Sequence, residues 1–186
     1  GVALGNPSLQ QAVTETNDPQ LAAVLQWSTE VNAEIERVVK NAPPFDRVRE
    51  SLEKVHAHSD AMCVSQTPGE ALVREWTEHG LARYLRAIAG QEMGKKAEHI
   101  AMAAGGKYQP DRILMLGDAL GDLKAATAND AHFYPINPGH ENESWQRFHD
   151  EAYARFLAGE YGGDYETKLI AEFKACLPDT PPWLRD

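Results

Sequence analysis

Cysteine is nearly absent: Cys63 and Cys176 are the only two in 186 residues. That excludes a disulfide framework and suits a reducing, cytoplasmic setting. Cys63 lies within an apolar run and reads as a buried core thiol. No apolar stretch approaches the length of a membrane-crossing helix, and no signal peptide is evident. Positive charge is in deficit, with 18 Lys and Arg against 28 Asp and Glu, a net charge of -10. This argues against nonspecific binding to nucleic acid or to an anionic membrane. A small anionic substrate remains compatible, because a bound cation reverses the field in a pocket. There is no internal repeat and no low-complexity tract. Without a secretion signal, the sequon Asn142-Glu-Ser144 is taken as chance. The apolar fraction of 42% supports one sizeable core, with length left for a small appendage.

What is present is organised around residues 112–126. Ile113 to Leu116 is a short apolar run leading into Gly117 and Asp118. Such a run suits a strand buried on both faces of a parallel sheet. Asp118 then falls at the carboxyl end of the strand, where open α/β sheets bind ligands. Asp122 follows four residues later, at the start of a helical stretch. Two carboxylates at one strand end suit a hard cation such as Mg²⁺, and also suit a plain loop Asp with a helix-capping Asp.

Upstream, Ser8 is placed to N-cap a short helix through Val13. The apolar residues from Leu21 to Val39 recur at helical spacing. Asn41-Ala-Pro-Pro44 stops that helix and marks a boundary, giving a helical piece over 1–44 and an α/β core over 45–186. Phe45 to Val55 reads as a helix and His56 to Asp60 as a connection, with His56 and His58 taken as surface loop residues. Ala61 to Val64 is a second buried-strand candidate. Thr67, Pro68 and Glu70 form a capping-box pattern for a helix ending at Gly80. A short helix and a strand are expected between Leu81 and Ala89. Lys95 and Lys96 open the next helix, against the macrodipole. Ala131 to Ile136 reads as a strand whose Pro135 marks an edge or an end. Trp145 to Ala158 and Tyr165 to Leu177 read as closing helices. The loop from Asn137 to Trp145 follows a strand end and reads more simply as a surface turn.

Three strand-to-loop junctions therefore offer a hydroxyl (Ser65), an ammonium (Lys95 or Lys96) and two carboxylates (Asp118 and Asp122). Gathered at one sheet edge, they would suit a phosphoryl group with its Mg²⁺. In this order and spacing the set resembles the haloacid dehalogenase (HAD) superfamily of phosphohydrolases. Val64-Ser-Gln-Thr67 is similar to that family's second motif, the Lys pair to its lysine motif, and residues 114–126 to its acidic fourth motif. The resemblance spans roughly residues 45–136. A flavodoxin-like or receiver-type domain would fit the sheet but not the order of Ser, Lys and Asp.

The resemblance implies a three-layer Rossmann-like α/β core with a parallel sheet, plus a partial helical cap at the N-terminus. It implies Mg²⁺ as cofactor and a phosphorylated small molecule as substrate. Ser65 would bond a phosphoryl oxygen. Lys96, preferred because it leads directly into its helix, would offset charge on nucleophile and phosphate. Asp118 would coordinate Mg²⁺, and Asp122 would hold that ligand shell. The family's nucleophile, the first Asp of a D-x-D motif, has no counterpart: the sequence contains no D-x-D. The resemblance thus implies a phosphoryl-transfer hydrolase using an aspartyl-phosphate, present here without its attacking carboxylate and so inactive alone. The alternative is a noncatalytic binding or scaffold module of the same kind. The strand expected between the Ser65 and Asp118 strands would be missing, which implies a partner segment (an N-terminal segment or a second copy), a rearranged sheet, or a chain cut after folding.

Overall fold

The computed structural model of the protein describes residues 5–38 and 42–177, apart from the side chain at position 36. Two compact units divide the chain, Gly1–Ala42 and Pro43–Asp186.

The first unit is a helical hairpin, α1 (Asn6–Thr16) and α2 (Pro19–Val38). Asn17 takes the left-handed conformation at φ 52° and ends α1. Asp18 Oδ1 accepts the Gln20 N–H at 2.7 Å and opens α2, with Pro19 at its start. Ser8 does not cap. It sits inside α1 and its Oγ donates to the Gly5 carbonyl at 3.0 Å. Val39 lies outside the described residues. Leu21, Leu25 and Ser28 are half-buried, yet no described side chain between 5 and 38 is fully buried.

In the second unit, α3 (Val48–His58) runs further than the sequence suggests and absorbs His56 to His58 of the expected His56–Asp60 connection. Then come β1 (Met62–Val64), α4 (Gly69–Glu78), β2 (Ala87–Ala89), α5 (Lys96–Ala104), β3 (Leu114–Gly117), α6 (Leu120–Thr127) and β4 (His132–Pro135). The chain closes with α7 (Glu141–Arg147), a π-turn at Phe148–Ala152, α8 (Tyr153–Ala158) and α9 (Asp164–Ala175). The Thr67 capping box does not form. The Gly69 N–H is bonded instead by the Glu92 carboxylate, at 3.0 and 3.2 Å.

The expected three-layer Rossmann-like core with one parallel sheet is not found. The described residues are mostly helical and hold two separate two-stranded parallel sheets, β1–β2 and β3–β4. Cys63 pairs with Ile88 in the first, and Leu116 with Tyr134 in the second. The physical reason is that only four short strands are supplied, and no described strand joins β1 to β3. Each pair therefore ends in unpaired edges. Pro135 takes the last position of β4, an edge strand, where its missing N–H costs no ladder bond.

The core gathers on β3–β4. One cluster sets Leu114, Leu116 and Tyr134 against Phe148, Tyr153, Phe156 and Tyr161. The other sets Met115 and Phe133 against Ile100, Ala126 and Phe173. Alternate residues of these strands thus enter opposite clusters, as the pleat requires. Full burial of each large side chain contributes about 1.5–3 kcal/mol.

Candidate functional site

The carboxyl end of β3 is held by a close approach of backbone and side chain. A Cβ at Gly117 would overlap the Asp122 side chain. Only glycine therefore lets Asp122, 1% exposed, fold back under the strand end. There its Oδ2 accepts the Ala119 N–H at 3.2 Å, which caps α6. Its Oδ1 accepts from Lys96 Nζ at 2.5 Å. This ion pair links two segments 26 residues apart and lies largely out of water, with side-chain exposures of 25% and 2%. A buried pair of this kind is costly to break from one side, because the remaining charge loses its partner.

Lys96 rather than Lys95 makes the pair. Lys95 is exposed at the N-cap of α5, and its backbone N–H is bonded by Glu98 at 2.9 Å. The Lys96 charge is also felt by Cys63 on β1, lowering that thiol's pKa. Burial acts the other way and wins, pushing the Cys63 thiol up to about 11. Lys96 therefore lies within electrostatic reach of β1 as well as of β3. Gln66 Nε2 adds a further tie by donating to the Gly94 carbonyl at 3.3 Å.

Ser65 follows β1 directly, and its Oγ accepts the Thr67 N–H at 3.1 Å. Asp118 is exposed and has no hydrogen-bond or ion-pair partner among the described residues. The chain thus brings Lys96 and Asp122 into contact, while Ser65 and Asp118 stand at strand ends without touching that pair. Both Asp122 oxygens are engaged by protein donors, so Asp118 is the carboxylate open to a cation. Among the described residues, no group of three or more His, Cys, Asp or Glu could hold a metal ion. A Mg²⁺ on Asp118 would draw its remaining oxygen ligands from water and phosphate, as that ion commonly does.

Sequence reasoning passed over two neighbours. Glu92 bonds the amide that opens α4, as described above. His99, three residues after Lys96 on α5, is 2% exposed, and neither ring nitrogen has a partner. The available signal was a polar residue next to Ile100 on the apolar side of its helix. The loop after β4 borders a cavity of about 190 Å³ lined by Tyr134, Asn137, His140, Glu143, Ser144 and Arg147. Its geometry comes from Ser144 Oγ, which accepts the Asn137 N–H at 3.0 Å and donates to the His140 carbonyl at 2.8 Å. No helix among the described residues is long and apolar enough to cross a membrane. Compared with known proteins, the chain matches no family model, no curated protein and no solved structure.

Proposed function

We propose that the chain carries the cation- and phosphate-binding part of a Mg²⁺-dependent phosphoryl-transfer hydrolase, without the carboxylate that attacks phosphorus. The observation that carries this reading is the Lys96–Asp122 pair, 2.5 Å long and sequestered beside the β3 terminus, with the exposed Asp118 four residues before Asp122. An ammonium held by a buried acid is a preorganised counter-charge for an anion, and such a group needs no reorganisation when charge arrives. Ser65 would donate its hydroxyl proton to a phosphoryl oxygen, giving up its turn-stabilising role only in part, since the same oxygen keeps accepting from Thr67. Asp118 would hold the cation, and Asp122 would hold Lys96 in place. Bound Mg²⁺ would supply charge neutralisation on the phosphoryl oxygens. An aspartyl-phosphate route would take its nucleophile from outside these 186 residues, because no D-x-D is present.

A noncatalytic phosphate-binding module is the second reading, favoured by the engagement of both Asp122 oxygens. Thermal unfolding separates the two. The hydrolase reading predicts that inorganic phosphate raises the melting temperature more with Mg²⁺ than without it, and that Asp118→Asn removes the Mg²⁺-dependent part. It also predicts no release of p-nitrophenol from p-nitrophenyl phosphate by this chain alone. Phosphate stabilisation indifferent to Mg²⁺ and to Asp118→Asn would favour the noncatalytic module. Turnover by the chain alone would refute the missing nucleophile.

A further inference from the structure

The helical hairpin cannot account for its own stability. None of its described side chains is buried, and an isolated pair of helices without a buried face is marginal in water. The reason is a mismatch in length. The 11 residues of α1 run back along α2 only to Ser28, whose Oγ meets Asn6 Oδ1 at 2.7 Å. The second half of α2 extends past α1 with no helix of the hairpin against it. Along α2, Val24, Trp27, Val31, Ile35 and Val38 recur at spacings of three and four, which puts them on one stripe. Four of these remain in water, at 49%, 65%, 49% and 62% exposure for Val24, Trp27, Ile35 and Val38. Trp27 alone leaves on the order of 150 Å² exposed.

We infer that this stripe pairs α2, antiparallel, with α2 of a second copy of the chain. Charge on the flank of the stripe selects both partner and direction. Glu30 and Arg37 are seven residues apart and therefore share one flank of the stripe. When two α2 helices run antiparallel and cross between positions 33 and 34, Glu30 of each copy faces Arg37 of the other, twice by symmetry. The same register brings Val31 and Ile35 of the two copies together around the crossing point. A parallel pair sets identical residues at equal heights and forms no Glu30–Arg37 contact. The arrangement is isologous, as a two-fold dimer requires. The exposed stripe amounts to roughly 400 Å² per copy, within the range of the largest, often functional, apolar patch on a typical monomer. Closing α2 on α2 would bury it on both sides and turn two open hairpins into a four-helix unit.

Sedimentation velocity of the intact chain over micromolar concentrations tests this, with Trp27→Glu, Glu30→Arg, Arg37→Glu and the double swap Glu30→Arg/Arg37→Glu. The expected result is a dimer of twice the 20.6 kDa chain mass. Trp27→Glu yields monomer. Each single charge reversal weakens dimerisation about tenfold or more, because like charges then oppose across the pair. The double swap restores it. Within one helix, Arg37→Glu sets like charges beside Glu34 while Glu30→Arg gives Glu34 a new partner four residues away, so rescue counts as intermolecular only where helix content by circular dichroism is equal in all variants. A monomer at every concentration, a dimer that survives Trp27→Glu, or single reversals that the double swap does not rescue would each overturn the proposal.

Discussion

The two strand pairs of the second unit are built from similar short parallel strands, yet they differ sharply in what surrounds them. Along β3–β4, Met115, Phe133 and Tyr134 are at most 8% exposed, and packing reaches the pair from both sides. Along β1–β2, no residue of β1 is buried, and in β2 only Ala89 is. The comparison teaches that burial, not ladder pairing, divides the unit into a firm part and a looser one. Asp122 is rooted at the firm end. Lys96 enters just after the looser pair. Yet α5 packs through Ile100 into the β3–β4 core, so the ion pair belongs to the firm part, and Ser65 is the candidate residue carried by the looser one.

The largest expected effect breaks the comparison at its firm end. Phe133→Ala should cost about 4 kcal/mol by urea unfolding, because Phe133 is 1% exposed and stacks edge-on with Phe173 at 5.6 Å. Val64→Ala on β1 should cost about 1 kcal/mol, since Val64 is only half-buried. Equal losses would mean that the two parts are not distinct. Next, Lys96→Met strands the buried Asp122 carboxylate and should cost about 3 kcal/mol. The same variant removes a charge that favours the Cys63 thiolate, so alkylation of Cys63 by iodoacetamide at pH 8 should slow. An unchanged rate would place Lys96 away from β1.

Smaller still, Gly117→Ala pushes a methyl into the Asp122 side chain and should cost about 2 kcal/mol by the same unfolding measurement. A neutral outcome would show that Asp122 moves aside freely. The smallest effect lies at the other end of the strands. Asp60, just before β1, is bonded by Tyr108, Arg86 and Lys107, and these hold its carboxyl at about 2, below the ordinary 3.8. The folded pKa is depressed, so this contribution is present above the ordinary value and is lost as pH falls toward 2. Asp60→Asn should therefore flatten the loss of stability between pH 4 and pH 2 slightly, because the group is open to solvent.

Local elements were largely legible. The apolar run before Gly117, the helix opened by Lys96 and the strand ending in Pro135 all follow from spacing and turn chemistry that act within a few residues. Assembly of those strands was not legible, because strand pairing depends on partners distant in sequence. A run such as Ala61–Val64 reads the same whether one edge or both are paired. The capping box at Thr67 failed for a related reason: Glu92, 23 residues beyond Gly69, takes the amide that opens the helix. At the site, the tie between Lys96 and Asp122 depends on Gly117, whose role becomes visible only when the side chain folds beneath it.

The most direct test of the central claim is an amide NMR titration of the intact chain with inorganic phosphate, in the presence and absence of Mg²⁺. The account predicts saturable shifts at Ser65, Lys96 and Asp118 that need Mg²⁺ for full amplitude and vanish in Asp118→Asn. Shifts confined to other surfaces, or none at all at millimolar phosphate, would contradict it.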